Sequence, residues 1–270
     1  MLITVKKTHP EVSVIVSFHS MASPTRVLSL MAHPDDAEIF CGGTLALLRQ
    51  TGCEIHIASM TPGDCGSMTH SASEIAAIRR REGARGAAKL GGAYHCLDRR
   101  DLLICYDEPT VQAAVELIRQ IDPQIVFSHP PHDYMPDHEV TSLVARTACF
   151  AAPAVNFDTG ERPAAPGTPA IPHLYYSSPA GGADIFGQPA EFSTFVDVGA
   201  FMELKAEALC CHESQREWLR TQHGMDHYVD EMRRWASDLG KRAGVDFAEG
   251  FRQHIGHPYP ANDLLRETLG

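Results

Sequence analysis

Short apolar runs alternate along the chain with longer segments in which apolar residues recur at helical spacing. The apolar runs predict strands over residues 26–32, 54–60, 94–97, 124–128, 173–178 and 192–198. The helical segments cover residues 37–51, 73–90, 109–121, 200–221 and 225–242. Ser73 is the expected N-cap of the second helix, and Gly52 is expected to end the first.

This alternation of strands and helices predicts right-handed crossover connections and a mostly parallel sheet. We therefore expect an α/β, Rossmann-like fold with helices on both faces of the sheet. Residues 150–172 are rich in Pro and Ala, which is typical of a surface loop. With no internal repeat or linker, residues 1–270 are interpreted as a single domain, with 1–20 as a loose extension and 245–270 as a C-terminal tail.

Composition narrows the classes of partner. The chain has 270 residues, 44% of them apolar, which is enough for a full core. Its net charge is −11, and no Lys and Arg cluster is long enough to follow a phosphate backbone, so we expect neither nucleic acid nor membrane as a partner. The eight cysteines show no C-x-x-C spacing, which predicts reduced thiols and a cytoplasmic protein without a cysteine zinc cluster.

The first group of candidate chemical residues follows the strand over 26–32. His33 and Asp36 are three positions apart, so they can converge on one ion if a helix begins after Pro34. Asp35 cannot easily reach the same ion, and it is better placed to take a proton from a water molecule beside it. A carboxylate at a helix start is also a common N-cap, so this group alone does not establish a metal site.

The second group lies in the predicted loop over 129–138, directly after the strand that ends at Ser128. Ligands of open α/β sheets bind at the carboxyl ends of the strands, where two such loops can meet. His33, Asp36 and His138 would then form a two-His, one-carboxylate site with an open position, which is typical of catalytic zinc. Zn²⁺ is the expected cofactor, although another divalent metal fits the same ligands. Asp137 is a candidate to orient an imidazole.

The segment Ala32-His33-Pro34-Asp35-Asp36-Ala37-Glu38, followed by Gly42-Gly43, resembles the first motif of the PIG-L/LmbE-like family of zinc-dependent N-deacetylases. Pro136-Asp137-His138 resembles the second metal motif of that family. Further similarities lie in residues 61–64, in Arg79-x-x-Glu82 and between 195 and 215. The resemblance extends over residues 26–220, and the first motif is its most specific part.

The resemblance implies a hydrolase that removes acetyl from an N-acetylated amino sugar of the N-acetylglucosamine type, a small-molecule substrate. It implies that Asp35 is the general base and that His33, Asp36 and His138 bind the metal. It also implies that the substrate is contacted by Arg79, Asp64 and Asp101. For two of these residues a purely structural role stays open, with Arg79 as an exposed helix residue and Asp101 as a turn residue.

The chain departs from the family at Met135, where many members have a His that is thought to stabilise the oxyanion or to protonate the leaving amine. A thioether does neither well. The role could pass to His132 or His129 in the same loop, or to His254 or His257 in the tail. Some family members insert a C-terminal His from a neighbouring subunit.

We therefore name His257 and His132 as catalytic candidates and expect a homo-oligomer. The alternative for the tail is that it packs on the body of the protein or on a partner subunit.

Two other functions remain open at this point. The metal site could serve an amidase that acts on a thiol conjugate or on a natural-product N-acyl group. With Met135 in place of a His, the protein could also be a non-catalytic metal-binding sensor or scaffold. A nucleotide-binding function is disfavoured, because no G-x-G-x-x-G follows the first strand.

Overall fold

The computed structural model describes residues 24–216 and 228–270. The strands are β1 Arg26–Met31, β2 Glu54–Ser59, β3 Gly92–Cys96, β4 Ile125–Ser128, β5 His173–Ser177, β6 Thr194–Asp197 and β7 Ala248–Gln253. The α-helices with assigned bounds are α1 Asp36–Gln50, α2 Ala72–Lys89, α3 Glu108–Ile121, α4 Pro136–Ala151, α5 Met202–Leu209, α6 Tyr228–Ala243 and α7 Leu264–Leu269. The extension expected over 1–20 and the helical segments 217–221 and 225–227 lie outside the described residues.

All seven strands form one sheet in the order β3-β2-β1-β4-β5-β7-β6. The pairs from β3 to β5 are parallel, whereas β7 is antiparallel to both of its neighbours. The expected α/β fold with a mostly parallel sheet is therefore confirmed. β1 lies between β2 and β4, and the strand order reverses there, which is the point where open α/β sheets bind ligands.

Helices cover both faces of the sheet, as expected. Successive residues of β1 point to opposite sides, so Val27 and Met31 join one apolar cluster while Leu28 and Leu30 join the other. The first cluster is completed by α1, α5 and α6, and the second by α3 and α4. No helix among the described residues has the length and apolar character needed to cross a bilayer. All eight cysteines are free thiols.

Several element boundaries differ from the sequence predictions. The N-cap of α2 is Ser71 rather than Ser73, because Ser71 and Glu74 form a reciprocal capping box. The residues 136–138, predicted as loop, form the first turn of α4, which begins with a Pro at a position where the missing N–H costs nothing. The helix predicted over 200–221 is interrupted, because α5 ends at Leu209.

The segment 245–270, expected as a C-terminal tail, packs on the body of the domain, which was the alternative left open for it. β7 pairs with β5 and β6 inside the sheet, and Leu265 of α7 is buried. The strand carries Glu249 and Gly250 at its centre, so its pattern does not resemble that of a buried strand.

A buried ion pair joins β7 to the helices on one face. Lys205 Nζ of α5 lies 2.6 Å from Glu249 Oε1, and both side chains are 2% exposed. The same carboxylate accepts hydrogen bonds from the backbone N–H groups of Gly43 and Thr44 in α1, at 2.9 and 2.7 Å. The carboxylate of β7 therefore joins three elements that are distant in sequence, namely α1, α5 and β7 itself.

We expect Lys205→Met to lower the free energy of unfolding by about 3–5 kcal/mol, because it leaves the Glu249 carboxylate buried without its cation. The matched control is Lys89→Met, whose Lys pairs with Glu207 on the surface at 3.1 Å, and which should cost about 0–1 kcal/mol. Urea denaturation of the three proteins measures both effects. Equal losses in the two variants would contradict a structural role for the buried pair.

Candidate active site

The site lies where β1 and β4 end side by side. After β1 the chain makes a tight turn into α1, and Asp35 is the N-cap residue of that helix without a side-chain capping bond. The carboxylate of Asp35 is therefore not used as a cap, although its position would allow it. After β4, residues 129–135 lead into α4, and His138 lies in the first turn of that helix.

The structure brings His33, Asp36 and His138 together in a buried cluster. One ligand atom from each lies within 4.8 Å of the others. Asp36 Oδ2 is 3.2 Å from His33 Nδ1 and 3.5 Å from His138 Nε2. Among the described residues, Nε2 of His138 is buried without a hydrogen-bond partner, whereas Nε2 of His33 faces the carboxylates of Asp101 and Asp137. Buried polar atoms are normally paired, so the orphaned His138 nitrogen and the adjacent Asp36 carboxylate fit a cation.

The charges around the cluster also favour a cation. Burial acts to raise the pKa of Asp36, but His138, His129 and His33 outweigh it and lower this pKa well below its usual range. Burial acts to lower the pKa of His33, but Asp36, Asp101 and Asp137 together raise it well above its usual value. A site that stabilises a proton on an imidazole between three carboxylates also stabilises a metal ion in place of that proton.

The residue that orients His138 is Asp133, which the sequence analysis did not single out. Asp133 Oδ1 lies 3.1 Å from His138 Nδ1, on the side of the ring opposite to Asp36. Asp137, the predicted orienting residue, lies 3.5 Å from His33 Nε2 and accepts a hydrogen bond from the backbone N–H of Leu102 at 2.7 Å. It therefore faces the other imidazole, because the helix that starts at Pro136 turns it away from His138.

His129 is buried behind the cluster and does not line the cavity in front of it. Its ring stacks on that of His138 with the centroids 3.7 Å apart and the planes 11° apart. Burial and the neighbouring His138 lower the pKa of His129 to about 4, so its imidazole is neutral near neutral pH. Its position supports the ring of His138 from behind.

Two hydrogen-bond donors hold the carboxylate of Asp35. Arg79 Nη2 donates to Oδ1 at 3.1 Å, and the Tyr228 hydroxyl donates to Oδ2. Arg79 is only 3% exposed, so the alternative of an exposed helix residue is wrong. Its guanidinium passes directly over Gly63, whose φ of +69° and lack of a Cβ leave the room it needs.

The two further predicted substrate contacts, Asp64 and Asp101, have different places. Asp101 is buried and lines the cavity, with Oδ1 3.2 Å from His33 Nε2. Asp64 does not line the cavity, and its Oδ1 accepts a hydrogen bond from the backbone N–H of Asp101 at 2.9 Å. Asp64 therefore positions the segment that carries Asp101.

A cavity of about 550 Å³ opens in front of the cluster. Its wall is largely apolar and aromatic, and it includes Ile39, Phe40, Leu102, Tyr134, Met135 and Trp235. Phe40 and Trp235 stack with their ring planes 2° apart. The lining contributed by α6, which consists of Tyr228, Glu231 and Trp235, was missed in the sequence analysis. The spacing of these residues, at i, i+3 and i+7, marks one helix face and was the available signal.

The predicted replacements for the His expected at Met135 lie elsewhere in this chain. His132 has a side chain that is 83% exposed, and it borders a separate cavity of about 270 Å³. His254 Nδ1 lies 3.0 Å from the Tyr176 hydroxyl, and His257 is exposed. Neither His132 nor His257 lines the main cavity within the described residues, so a catalytic role for either stays a prediction.

Comparison with known proteins agrees with this description. A family model described as GlcNAc-PI de-N-acetylase (PIG-L) matches residues 28–149. Diacetylchitobiose deacetylase of Thermococcus kodakarensis is 30% identical over 84% of this chain and 82% of its own. 4-Oxalmesaconate hydratase of Pseudomonas putida is 24% identical over 74% of this chain and 78% of its own.

Among solved structures, N,N'-diacetylchitobiose deacetylase from Pyrococcus horikoshii superimposes with a TM-score of 0.72 at 27% identity. It covers 90% of this chain and 89% of its own. The fold and the buried His and Asp cluster at the carboxyl edge of the sheet thus define a Rossmann-like protein of the deacetylase type. The chain belongs to the PIG-L family, which confirms the resemblance of its motifs.

We expect Asp133→Asn to lower the affinity for Zn²⁺ by about 10–100-fold, because the variant weakens the hydrogen bond that orients His138. Competition with a chelating dye measures this affinity. The control is Asp238→Asn, which changes a surface carboxylate paired with Lys241. An unchanged affinity in Asp133→Asn would show that the orientation of His138 does not depend on Asp133.

Proposed function

We propose that this protein is a metal-dependent N-deacetylase that hydrolyses the N-acetyl group of an amino sugar or of a related small amide. The observation that carries the proposal is the buried cluster of His33, Asp36 and His138, which opens on a cavity beside the carboxylate of Asp35. Relatives named as deacetylases of diacetylchitobiose and of an acetamido-glucopyranoside support it.

In this proposal His33, Asp36 and His138 hold the metal, with Zn²⁺ as the expected ion. Such an ion, when bound, polarises the amide carbonyl and lowers the pKa of a water molecule. The donor set of two imidazoles and one carboxylate suits zinc, and it also suits other divalent ions such as iron.

Asp35 is the proposed general base. It is next to the cluster, it is 8% exposed, and its carboxylate faces the cavity. Arg79 holds one carboxylate oxygen, which fixes the orientation of the group. Asp35 takes a proton from the attacking water while the water oxygen bonds to the amide carbonyl carbon. Cleavage of the C–N bond then gives acetate and an amine.

The charges of the lining favour an acetamide substrate. Among the described residues, the cavity wall carries the carboxylates of Asp35, Asp36, Asp101 and Glu231, and Arg79 as its single Lys or Arg. Such a wall suits a neutral acetamide and the cationic amine that it yields. It suits less well an anionic substrate such as the carboxylate for which the hydratase relative is named. We place Arg79 and Asp101 at the substrate, with Asp64 acting through Asp101.

A panel of acetamides separates the candidate substrates. Acetate release is measured from N-acetylglucosamine, diacetylchitobiose, an acetylated thiol conjugate and a non-sugar acetamide. Release from the sugars or from the non-sugar acetamide supports the proposal, and release only from the thiol conjugate favours the alternative amidase. A protein that binds one metal ion and releases no acetate from any of them would be the non-catalytic binder.

Compartment and assembly stay predictions. A cytoplasmic location is expected for a chain with eight free thiols, and a homo-oligomer is expected if His257 completes the site of a neighbouring subunit. Size-exclusion chromatography with light scattering measures the assembly.

We expect Asp35→Asn to lower kcat for acetate release by about 10²–10⁴-fold, the usual effect of losing a general base. The zinc content should stay at the wild-type value, because Asp35 is not one of the proposed ligands. The control is Asp158→Asn, which alters an exposed carboxylate paired with Arg162. Wild-type turnover by Asp35→Asn would rule out its role as the base.

A further inference from the structure

Amide hydrolysis needs a proton donor at the nitrogen that leaves. An amide nitrogen departs as a very basic anion unless it gains a proton as the C–N bond breaks, so a general acid has to reach it. This inference rests on the proposed amide hydrolysis. The candidates are the side-chain donors that line the cavity in the described part of the chain.

Most of these donors are already engaged. Arg79 remains charged and bonds to Asp35 and to the carbonyl oxygen of Gly63. Gln215 donates its amide to the carbonyl oxygen of Gly66, and an amide is too weak an acid for this task. His33 and His138 are the proposed metal ligands. The Cys65 thiol donates to the backbone carbonyl oxygen of Asp101 at 3.5 Å, and the indole N–H of Trp235 is too weak an acid. Two phenols remain, those of Tyr134 and Tyr228.

Only one of the two phenols contacts the proposed base. The Tyr228 hydroxyl donates a hydrogen bond to Asp35 Oδ2, whereas the contact of Tyr134 in the site is the edge of its ring against His138. Tyr228 is the first described residue of α6 and lies on the same helix face as Glu231 and Trp235. All three side chains line the cavity. The phenol therefore connects the carboxylate of Asp35 with the space available to substrate.

We propose that Tyr228 is the general acid of this enzyme and passes the proton collected by Asp35 to the leaving nitrogen. In the first step an O–H bond of water breaks and its proton goes to Asp35, while the water oxygen bonds to the carbonyl carbon and the π electron pair of the C=O bond moves to the carbonyl oxygen. In the second step that pair re-forms the C=O bond as the C–N bond breaks and the C–N electron pair goes to nitrogen. Nitrogen takes the phenolic proton of Tyr228, and the carboxyl proton of Asp35 replaces it.

This sequence restores both side chains to their starting forms. The second proton of the water stays with the acetic acid that is released. Burial, and then the charge of Asp35, raise the pKa of Tyr228 well above its usual value, so the phenol is protonated at neutral pH. It can give up its proton only as another arrives, which the contact with Asp35 provides. The phenol thereby supplies a donor that the thioether of Met135 cannot.

The test is Tyr228→Phe, assayed on two acetyl compounds with different leaving groups. An N-acetylated amino sugar needs a proton on its nitrogen, whereas p-nitrophenyl acetate releases a stable phenolate that needs none. We expect kcat for the acetamide to fall by about 10²–10⁴-fold, and kcat for the ester to fall far less, because in the ester reaction the phenol only orients Asp35. Asp35→Asn should lower both rates, because both reactions need the attacking water.

The control variant is Tyr106→Phe, which removes an exposed hydroxyl that lies 3.1 Å from Thr147 Oγ1 outside the cavity. Zinc content and thermal unfolding of each variant show whether the fold and the metal site are intact. An equal loss on amide and ester in Tyr228→Phe would mean that the phenol only positions Asp35, and it would overturn the proposal. So would wild-type activity on both compounds.

Failure of the proposed function has a different signature. A wild-type protein that hydrolyses the ester and none of the acetamides would overturn the amide hydrolysis itself, before any effect of Tyr228 is considered. A far larger loss of the acetamide rate than of the ester rate in Tyr228→Phe, with zinc content unchanged, supports both proposals together.

Discussion

One carboxylate oxygen, Asp36 Oδ2, organises the site. It accepts the backbone N–H of His33 at 2.7 Å and lies within 3.5 Å of three imidazoles, those of His33, His129 and His138. Burying a carboxylate without such partners would lower the free energy of unfolding by roughly several kcal/mol. The loop after β1 is therefore stable only if the loop after β4 lies beside it. The site therefore forms only because β1 and β4 are neighbours in the sheet.

The same constraint explains what could be predicted from the sequence. His33, Asp36 and His138 each follow a strand end, and parallel strands bring those ends to one edge, so their meeting is a consequence of local patterns. Asp137 was predicted to orient an imidazole, but which imidazole it faces, and the contact of Asp133 with His138, depend on where α4 begins and were not predictable in this way. Contacts between distant segments were also hidden, as between Tyr228 of α6 and Asp35, which are 193 residues apart.

Few side chains around the cluster orient the proposed base and form the cavity wall. Arg79 and Tyr228 hold the two oxygens of Asp35, so this carboxylate is oriented from both sides. Aromatic rings, among them the stacked pair Phe40 and Trp235, form much of the cavity wall. Membership of the PIG-L family agrees with this arrangement. The relatives include both deacetylases and a hydratase. The proposed chemistry therefore rests on the acidic cavity wall and on the carboxylate of Asp35 held by Arg79 and Tyr228, and not on membership of the family alone.

The central claim is that the segments that follow β1 and β4 bind a single divalent ion through the imidazoles of His33 and His138 and the carboxylate of Asp36. X-ray absorption at the zinc edge of the zinc-loaded protein tests it most directly, since imidazole rings, oxygen and sulfur scatter differently. The account predicts one ion per chain with two imidazoles, further oxygen ligands and no sulfur. Sulfur ligands from the free cysteines, or a fully hydrated ion without imidazole, would contradict it.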